Sequence, residues 1–125
     1  MFKISLLTAA SALTLACGNL MAAEASAKFA NGVLVDANGM TLYTYDKDVA
    51  GSGKSMCNGS CATLWPPAKA ASADQASGAF AIVMRDDGSR QWSYKGKPIY
   101  TYQADQKPGD RQGDKYKDVW HIIKE

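Results

Sequence analysis

Three cysteines and one histidine bound the chemistry open to this chain. Cys57-Asn-Gly-Ser-Cys61 spaces two thiols as C-x3-C, one residue wider than the C-x-x-C of thioredoxin-like redox centres. In an oxidising compartment an even pair of this kind is most simply a disulfide. Closing so short a loop restricts little of the unfolded ensemble, about 2 kcal/mol in the chain-entropy model, so the bridge shapes a loop more than it holds a fold. The other chemistry open to the pair is soft-metal binding, because two thiolates with Met56 beside them and His121 from the far end of the chain form a copper-type donor set. The usual zinc spacings and the CxxCH haem attachment are absent. His121 stands between Trp120 and Ile122 with no paired Ser or Asp motif, which reads as a packed or surface residue rather than a general base. With no GxGxxG, Walker loop, GxSxG or HExxH either, the expectation is no catalytic residue, no cofactor and no enzyme.

Tyrosines and aspartates carry the stronger pattern. Gly39-Met-Thr-Leu-Tyr-Thr-Tyr-Asp-Lys-Asp48 aligns with Gly96-Lys-Pro-Ile-Tyr-Thr-Tyr-Gln-Ala-Asp105 at an offset of 57, and each copy is followed by a Gly-rich polar loop and a Trp, Trp65 or Trp120. Two copies are too few and too long for a solenoid, so duplicated hairpins packed into one antiparallel β domain is the expectation. Strand alternation puts Tyr43 and Tyr45 on one face and Met40 and Leu42 on the other, with Tyr100 and Tyr102 set against Ile99 in the second copy. Exposed, the four rings would make a platform for glycan or another planar ligand; buried, they would supply the core. Burial is the favoured reading, with the hydroxyls free to bond the aspartates three to five residues on. Asp48 and Asp105 end their strands at loop starts, where a carboxylate commonly accepts backbone N–H bonds in an Asx-turn. The sharper alternative makes Asp105, Asp110 and Asp114 oxygen ligands for calcium.

These residues resemble a known group. The pair Tyr43-Thr-Tyr45-Asp-Lys-Asp48 and Tyr100-Thr-Tyr102-Gln-Ala-Asp105, each a Y-x-[FWY]-x-x-D, is similar to the signature of the bacterial secreted-repeat family, predicted lipoproteins of unknown function. The similarity extends to Leu34-Val-Asp-Ala-Asn-Gly39, Cys57-Asn-Gly-Ser-Cys-Ala62 with Trp65-Pro-Pro67, Gln91-Trp-Ser-Tyr94, Pro108-Gly-Asp110 and Trp120-His121. The resemblance implies an exported envelope protein and supplies no reaction.

The elements that must position these groups begin after a leader. Lys3 precedes the apolar run 4–16, then Cys17 and a small-residue stretch, the layout of a secretory signal peptide over residues 1–27. It is either removed or lipidated at Cys17, the one membrane attachment expected. The remaining domain, 28–125, holds 14 Leu, Ile, Val and Phe among its 98 residues against three Trp and six Tyr, so its core must be largely aromatic. Alternation bounded by Gly, Asn and Asp predicts about six strands from two related hairpins. Residues 32–36 and 40–46 should join through a type I′ turn at Asn38-Gly39. Residues 80–85 pair with 91–94, which turn through Lys95-Gly96 into 98–102, and 119–123 close the chain. At most one helical turn is expected, at 61–65, stopped by Pro66-Pro67. Residues 69–78 read as a connector, with a short helix as the alternative.

The fold class is therefore mainly β. A formal net charge of +2, from 14 basic against 12 acidic residues without clustering, argues against nucleic acid as a partner. The expected function is an exported protein of the periplasm or cell envelope with a non-enzymatic binding or structural role toward an envelope ligand or protein. The alternative is a periplasmic copper-binding or thiol-redox protein using Cys57 and Cys61 with Met56 and His121.

Overall fold

The computed structural model describes residues 26–125. The leader, including Lys3, the apolar run and Cys17 with its two fates, lies outside the described residues apart from 26 and 27. Seven strands form among the described residues: β1 Lys28–Ala30, β2 Val33–Val35, β3 Tyr43–Tyr45, β4 Phe80–Met84, β5 Arg90–Tyr94, β6 Lys97–Pro98 and β7 Trp120–Ile122. One short helix, α1 Ser60–Leu64, and one 3-10 turn, Tyr116–Asp118, complete them. The strands make three small antiparallel sheets: β1–β2, β3–β7 and β4–β5–β6. The domain is mainly β, as expected, with the helical turn where the sequence places it.

The turns correct two expectations. Strand β1 is additional to the expected set, and it arises because Asn31-Gly32 adopts positive φ at both positions, 52° and 80°, the pair a type I′ hairpin requires. At Asn38-Gly39 the type I′ turn does not form, since only Gly39 takes positive φ there. A three-residue loop replaces it, in which Asp36 N–H bonds the Met40 carbonyl at 2.9 Å and Gly39 N–H bonds the Asp36 carbonyl at 2.9 Å. The Asp36 carboxylate braces this loop by accepting the N–H groups of Asn38 and Met40 at 2.8 and 3.0 Å. A local side-chain acceptor thus outcompetes the dipeptide preference. Lys95-Gly96 does adopt the doubly positive turn, at φ 50° and 87°, joining β5 to β6. Residues 69–78 form no helix; Arg90 ties the carbonyls of Ala71 and Asp74 instead.

The expected strand over 98–102 ends at Pro98, and the two residues after Pro98 organise the molecule. Tyr100 leaves the β4–β5–β6 sheet and pairs with Tyr43, each N–H bonding the other's carbonyl at 2.8 and 3.0 Å. The two motif copies therefore meet antiparallel about a local two-fold. Each repeat then lends its closing segment to the other. β7, from the second repeat, pairs with β3 of the first, with Tyr43 opposite Ile122 and Tyr45 opposite Trp120. In the reverse direction Pro67 bridges Tyr100, and Thr101 N–H bonds the Pro66 carbonyl at 2.8 Å. Pro66 and Pro67 have no N–H to give a ladder, so this second arm stays a bridge while its counterpart is a strand.

Alternation along these strands separates two cores. Leu34, Leu42, Trp92 and Ile99 form an aliphatic cluster carrying Phe29, Ile82 and Ile123 on its margin. Tyr43, Cys57, Trp65, Tyr100 and Trp120 form an aromatic one on the other side, with Tyr45, Tyr102 and Tyr116 packed against it. Each buried ring removes roughly 150–250 Å² from water, about 4–6 kcal/mol of gross transfer free energy, which is how a chain with so few aliphatic residues fills an interior.

Candidate functional site

Each motif tyrosine is clasped by the aspartate of the other copy. Tyr43 Oη donates to Asp105 Oδ2 at 2.6 Å, and Tyr100 Oη donates to Asp48 Oδ2 at 2.6 Å. Bonding within a copy, an alternative the sequence left open, does not occur: the antiparallel crossing at Tyr43 and Tyr100 carries each ring into the opposite loop. The remaining oxygen of each carboxylate holds the loop that follows it. Met56 N–H donates to Asp48 Oδ1 at 2.6 Å, and Gln112 N–H donates to Asp105 Oδ1 at 3.0 Å. Both carboxylates are buried and both are satisfied, the condition under which burying a charged group is tolerable. Burial first, and then the facing carboxylate, push both tyrosine hydroxyls well above their ordinary titration range, offset in part by Gly113 N–H at Tyr43 and by Ser55 at Tyr100.

The second aromatic of each motif makes a stack. Trp65 and Trp120 lie face to face at 3.8 Å with 2° between their planes. Tyr102 covers the outer side of Trp65 at 4.0 Å, and Tyr45 covers Trp120 at 4.2 Å. Here too the pairing crosses between repeats. Tyr43 and Tyr100 meet Trp65 and Trp120 edge-on at 5.2 and 5.1 Å, the favourable sense for ring quadrupoles. Gly113 exists to admit this stack, since a Cβ there would sit 2.5 Å from the Trp65 ring. Tyr43 and Tyr100 are fully buried, so they line no platform.

The two clasps differ in their surroundings. Beside Tyr100, Ser55 Oγ lies 2.6 Å from the hydroxyl and accepts from Arg85 Nη1 at 3.0 Å. Arg85 also donates to Gln91 Oε1 at 2.7 Å, to the Cys57 carbonyl and to Asn58 Oδ1 at 3.2 Å. A buried chain thus runs from the Asp48 carboxylate through Tyr100 and Ser55 to a guanidinium. Beside Tyr43 the third partner is only a backbone group, Gly113 N–H at 3.2 Å. Sequence reasoning missed Arg85, Ser55, Gln91 and Gly113. A signal for Arg85 existed in the alternation of β4, which puts it on the inward side with Val83: Arg85 is 6% exposed while its apolar neighbour Met84 is 57% exposed.

Cys57 and Cys61 are bonded to each other. Cys57 lies in the aromatic core, whereas Cys61, in the first turn of α1, lines a cleft of about 420 Å³. That cleft is bordered by Tyr45, Leu64, Tyr116, Trp65 and Trp120 and by Lys47 and Lys117, with no acidic residue in its wall. Met56 is exposed, and His121 Nε2 sits 2.8 Å from Asp46 Oδ2 on the surface. Of the aspartates considered for calcium, Asp110 accepts the N–H groups of Gln106 and Lys107 and Asp114 accepts that of Ile122. Each thus caps a separate stretch of backbone, and the two N–H bonds on Asp110 hold its carboxyl below the usual range. Among the described residues no three His, Cys, Asp or Glu side chains gather as a metal cluster, and no helix is long and apolar enough to cross a membrane.

A family model described as a secreted repeat of unknown function matches the chain twice, over residues 26–69 and 81–124. The two matches fall on the two exchanging halves, and the gap between them, 70–80, overlaps the connector. No curated protein and no solved structure matches the chain.

Proposed function

The chain belongs to a family of secreted repeats of unknown function, and from that membership we propose that it is an exported, non-enzymatic binding module of the cell envelope whose ligand enters the aromatic cleft. One observation carries this reading: the buried tyrosine and aspartate of each motif copy are engaged internally, while the cleft beside the stack stays open. Tyr43, Tyr100, Asp48 and Asp105 bond one another and their own loops, and Tyr45 and Tyr102 cover the tryptophans. The motif is therefore a frame, and binding belongs to what the frame presents. Half-buried Tyr45 and Tyr116 with Lys47 and Lys117, unopposed by acid in the wall, suit an acidic sugar, which offers a ring face to aromatics and a negative charge to ammonium groups.

The test is titration of the intrinsic tryptophan fluorescence with uronic-acid oligosaccharides, using neutral oligosaccharides as the control. Saturable change with the acidic series, weakened at least tenfold in Lys47→Ala/Lys117→Ala, supports the proposal. An unchanged spectrum, or equal response to neutral sugar, overturns it. The copper alternative requires opening the disulfide and drawing His121 from Asp46; stoichiometric copper in protein purified under native conditions would reinstate it.

A further inference from the structure

We propose that the Cys57–Cys61 disulfide is a thiol–disulfide exchange site for an exported dithiol protein, entered through the cleft at Cys61. The two sulfurs are not equivalent. Cys57 is 0% exposed, and its backbone is pinned on both sides: its N–H donates to Ser55 Oγ at 3.1 Å and its carbonyl accepts from Arg85 Nη2. Cys61 is half-buried in the cleft wall. It rides on a five-residue helix that buries none of its residues and has no side-chain cap. An incoming thiolate can therefore reach one sulfur and not the other, and access governs which sulfur is attacked.

The step balances without a further reagent. A partner thiolate attacks Cys61 Sγ, the S–S bond breaks, and the electron pair leaves on Cys57 as a thiolate while Arg85 keeps hold of the Cys57 carbonyl. Cys57 then takes a proton from water. The second thiol of the partner, as thiolate, attacks the partner's first sulfur in the mixed disulfide; the electron pair leaves on Cys61 as a thiolate, which takes up the proton the second thiol gave to water, and the partner departs as an oxidised disulfide. Lys47 and Lys117 add positive charge at the entrance, which favours approach of an anionic thiol. Reduction leaves the frame standing. A bridge over so short a loop contributes little to stability, and Arg85 continues to hold the Cys57 segment, so the part set free is α1, one wall of the cleft. The site stands whether or not the cleft takes an acidic sugar.

The experiment exposes the native full-length secreted chain to excess glutathione, quenches with acid, alkylates under denaturing conditions and maps the adducts by mass. The expected result is glutathione on Cys61 and the alkyl group on Cys57, with near-UV circular dichroism retained. Lys47→Glu/Lys117→Glu should slow the reaction of glutathione, whose thiolate carries two net negative charges, by roughly 3- to 10-fold, and that of 2-mercaptoethanol, whose thiolate carries one, by distinctly less. Glutathione on Cys57, equal slowing of both thiols, or a rate no faster than global unfolding measured in the same buffer overturns the proposal.

Discussion

The two tyrosine–aspartate clasps begin from the same motif and end in different company. Asp105 and Tyr43 are completed by backbone alone, through Gln112 and Gly113, and the loop that supplies those N–H groups packs on the Trp65 ring. Asp48 likewise takes a backbone N–H, from Met56, but Tyr100 is completed by the Ser55 side chain, and that network ends on buried Arg85. A buried carboxylate thus has no need of a cation when a short phenolic bond and an amide satisfy it. The cation in the other half serves a further purpose, since it fastens the disulfide loop to β4 and β5 through the Cys57 carbonyl and Gln91.

The largest test of this difference removes the device peculiar to each half. Arg85→Met leaves Gln91 Oε1, the Cys57 carbonyl and Asn58 Oδ1 without their donor, and should cost about 3–5 kcal/mol in denaturant unfolding. Gly113→Ala drives a methyl into Trp65 and should cost about 1–3 kcal/mol by overpacking. The loss from Arg85→Met should be accompanied by faster glutathione attack, because Cys57 loses its anchor; Gly113→Ala should leave that rate alone. Equal acceleration by both would mean that the two halves are mechanically one.

Next in size is the crossing itself. Tyr43→Phe and Tyr100→Phe each strip a donor from a buried carboxylate, with an expected cost of about 1–3 kcal/mol. Double-mutant cycles should find coupling of about 1 kcal/mol or more between Tyr43 and Asp105 and between Tyr100 and Asp48, using Asp→Asn partners. The pairs within a copy, Tyr43 with Asp48 and Tyr100 with Asp105, should show coupling below about 0.5 kcal/mol. The reverse pattern would refute the exchange of arms between repeats.

Much of the fold was legible in the sequence because it rests on local rules. Alternation at Leu42/Tyr43 and Ile99/Tyr100 foretold the two opposite cores, Lys95-Gly96 foretold its hairpin, and Pro66-Pro67 foretold the end of α1. The site was legible as residues and not as partners. Nothing in a stretch of chain says that Tyr43 will reach Asp105, 62 positions away, instead of Asp48 in its own loop, since long-range exchange is decided by which segment completes which sheet. The turn at Asn38-Gly39 failed for the opposite reason. The competitor was local, the Asp36 carboxylate, and a dipeptide rule does not see it.

The smallest effect is a pH dependence that the two clasps share. Both tyrosines are held above the ordinary phenol value of 10.0, by burial and then by the facing carboxylate. Below pH 10 the phenols are protonated in the folded and unfolded states alike, and their contribution is intact. Above it the unfolded chain releases protons that the folded chain retains, so stability falls as pH rises toward the folded values, by up to about 1.4 kcal/mol per tyrosine for each pH unit. Unfolding followed from pH 9 to 11 should therefore slope downward in the native chain. Half the motif-dependent slope should vanish in either Tyr→Phe variant and nearly all of it in the double variant. Both folded phenols stay protonated in this window, so the unfolded phenols set the slope and Arg85→Met should leave it unchanged, although Arg85 anchors the Ser55 side chain that partly offsets the shift at Tyr100. A slope that changes in Arg85→Met, but not on adding the same substitution to Tyr100→Phe, would show that the guanidinium keeps the Tyr100 phenol's titration out of this window and would set the two clasps apart by pH.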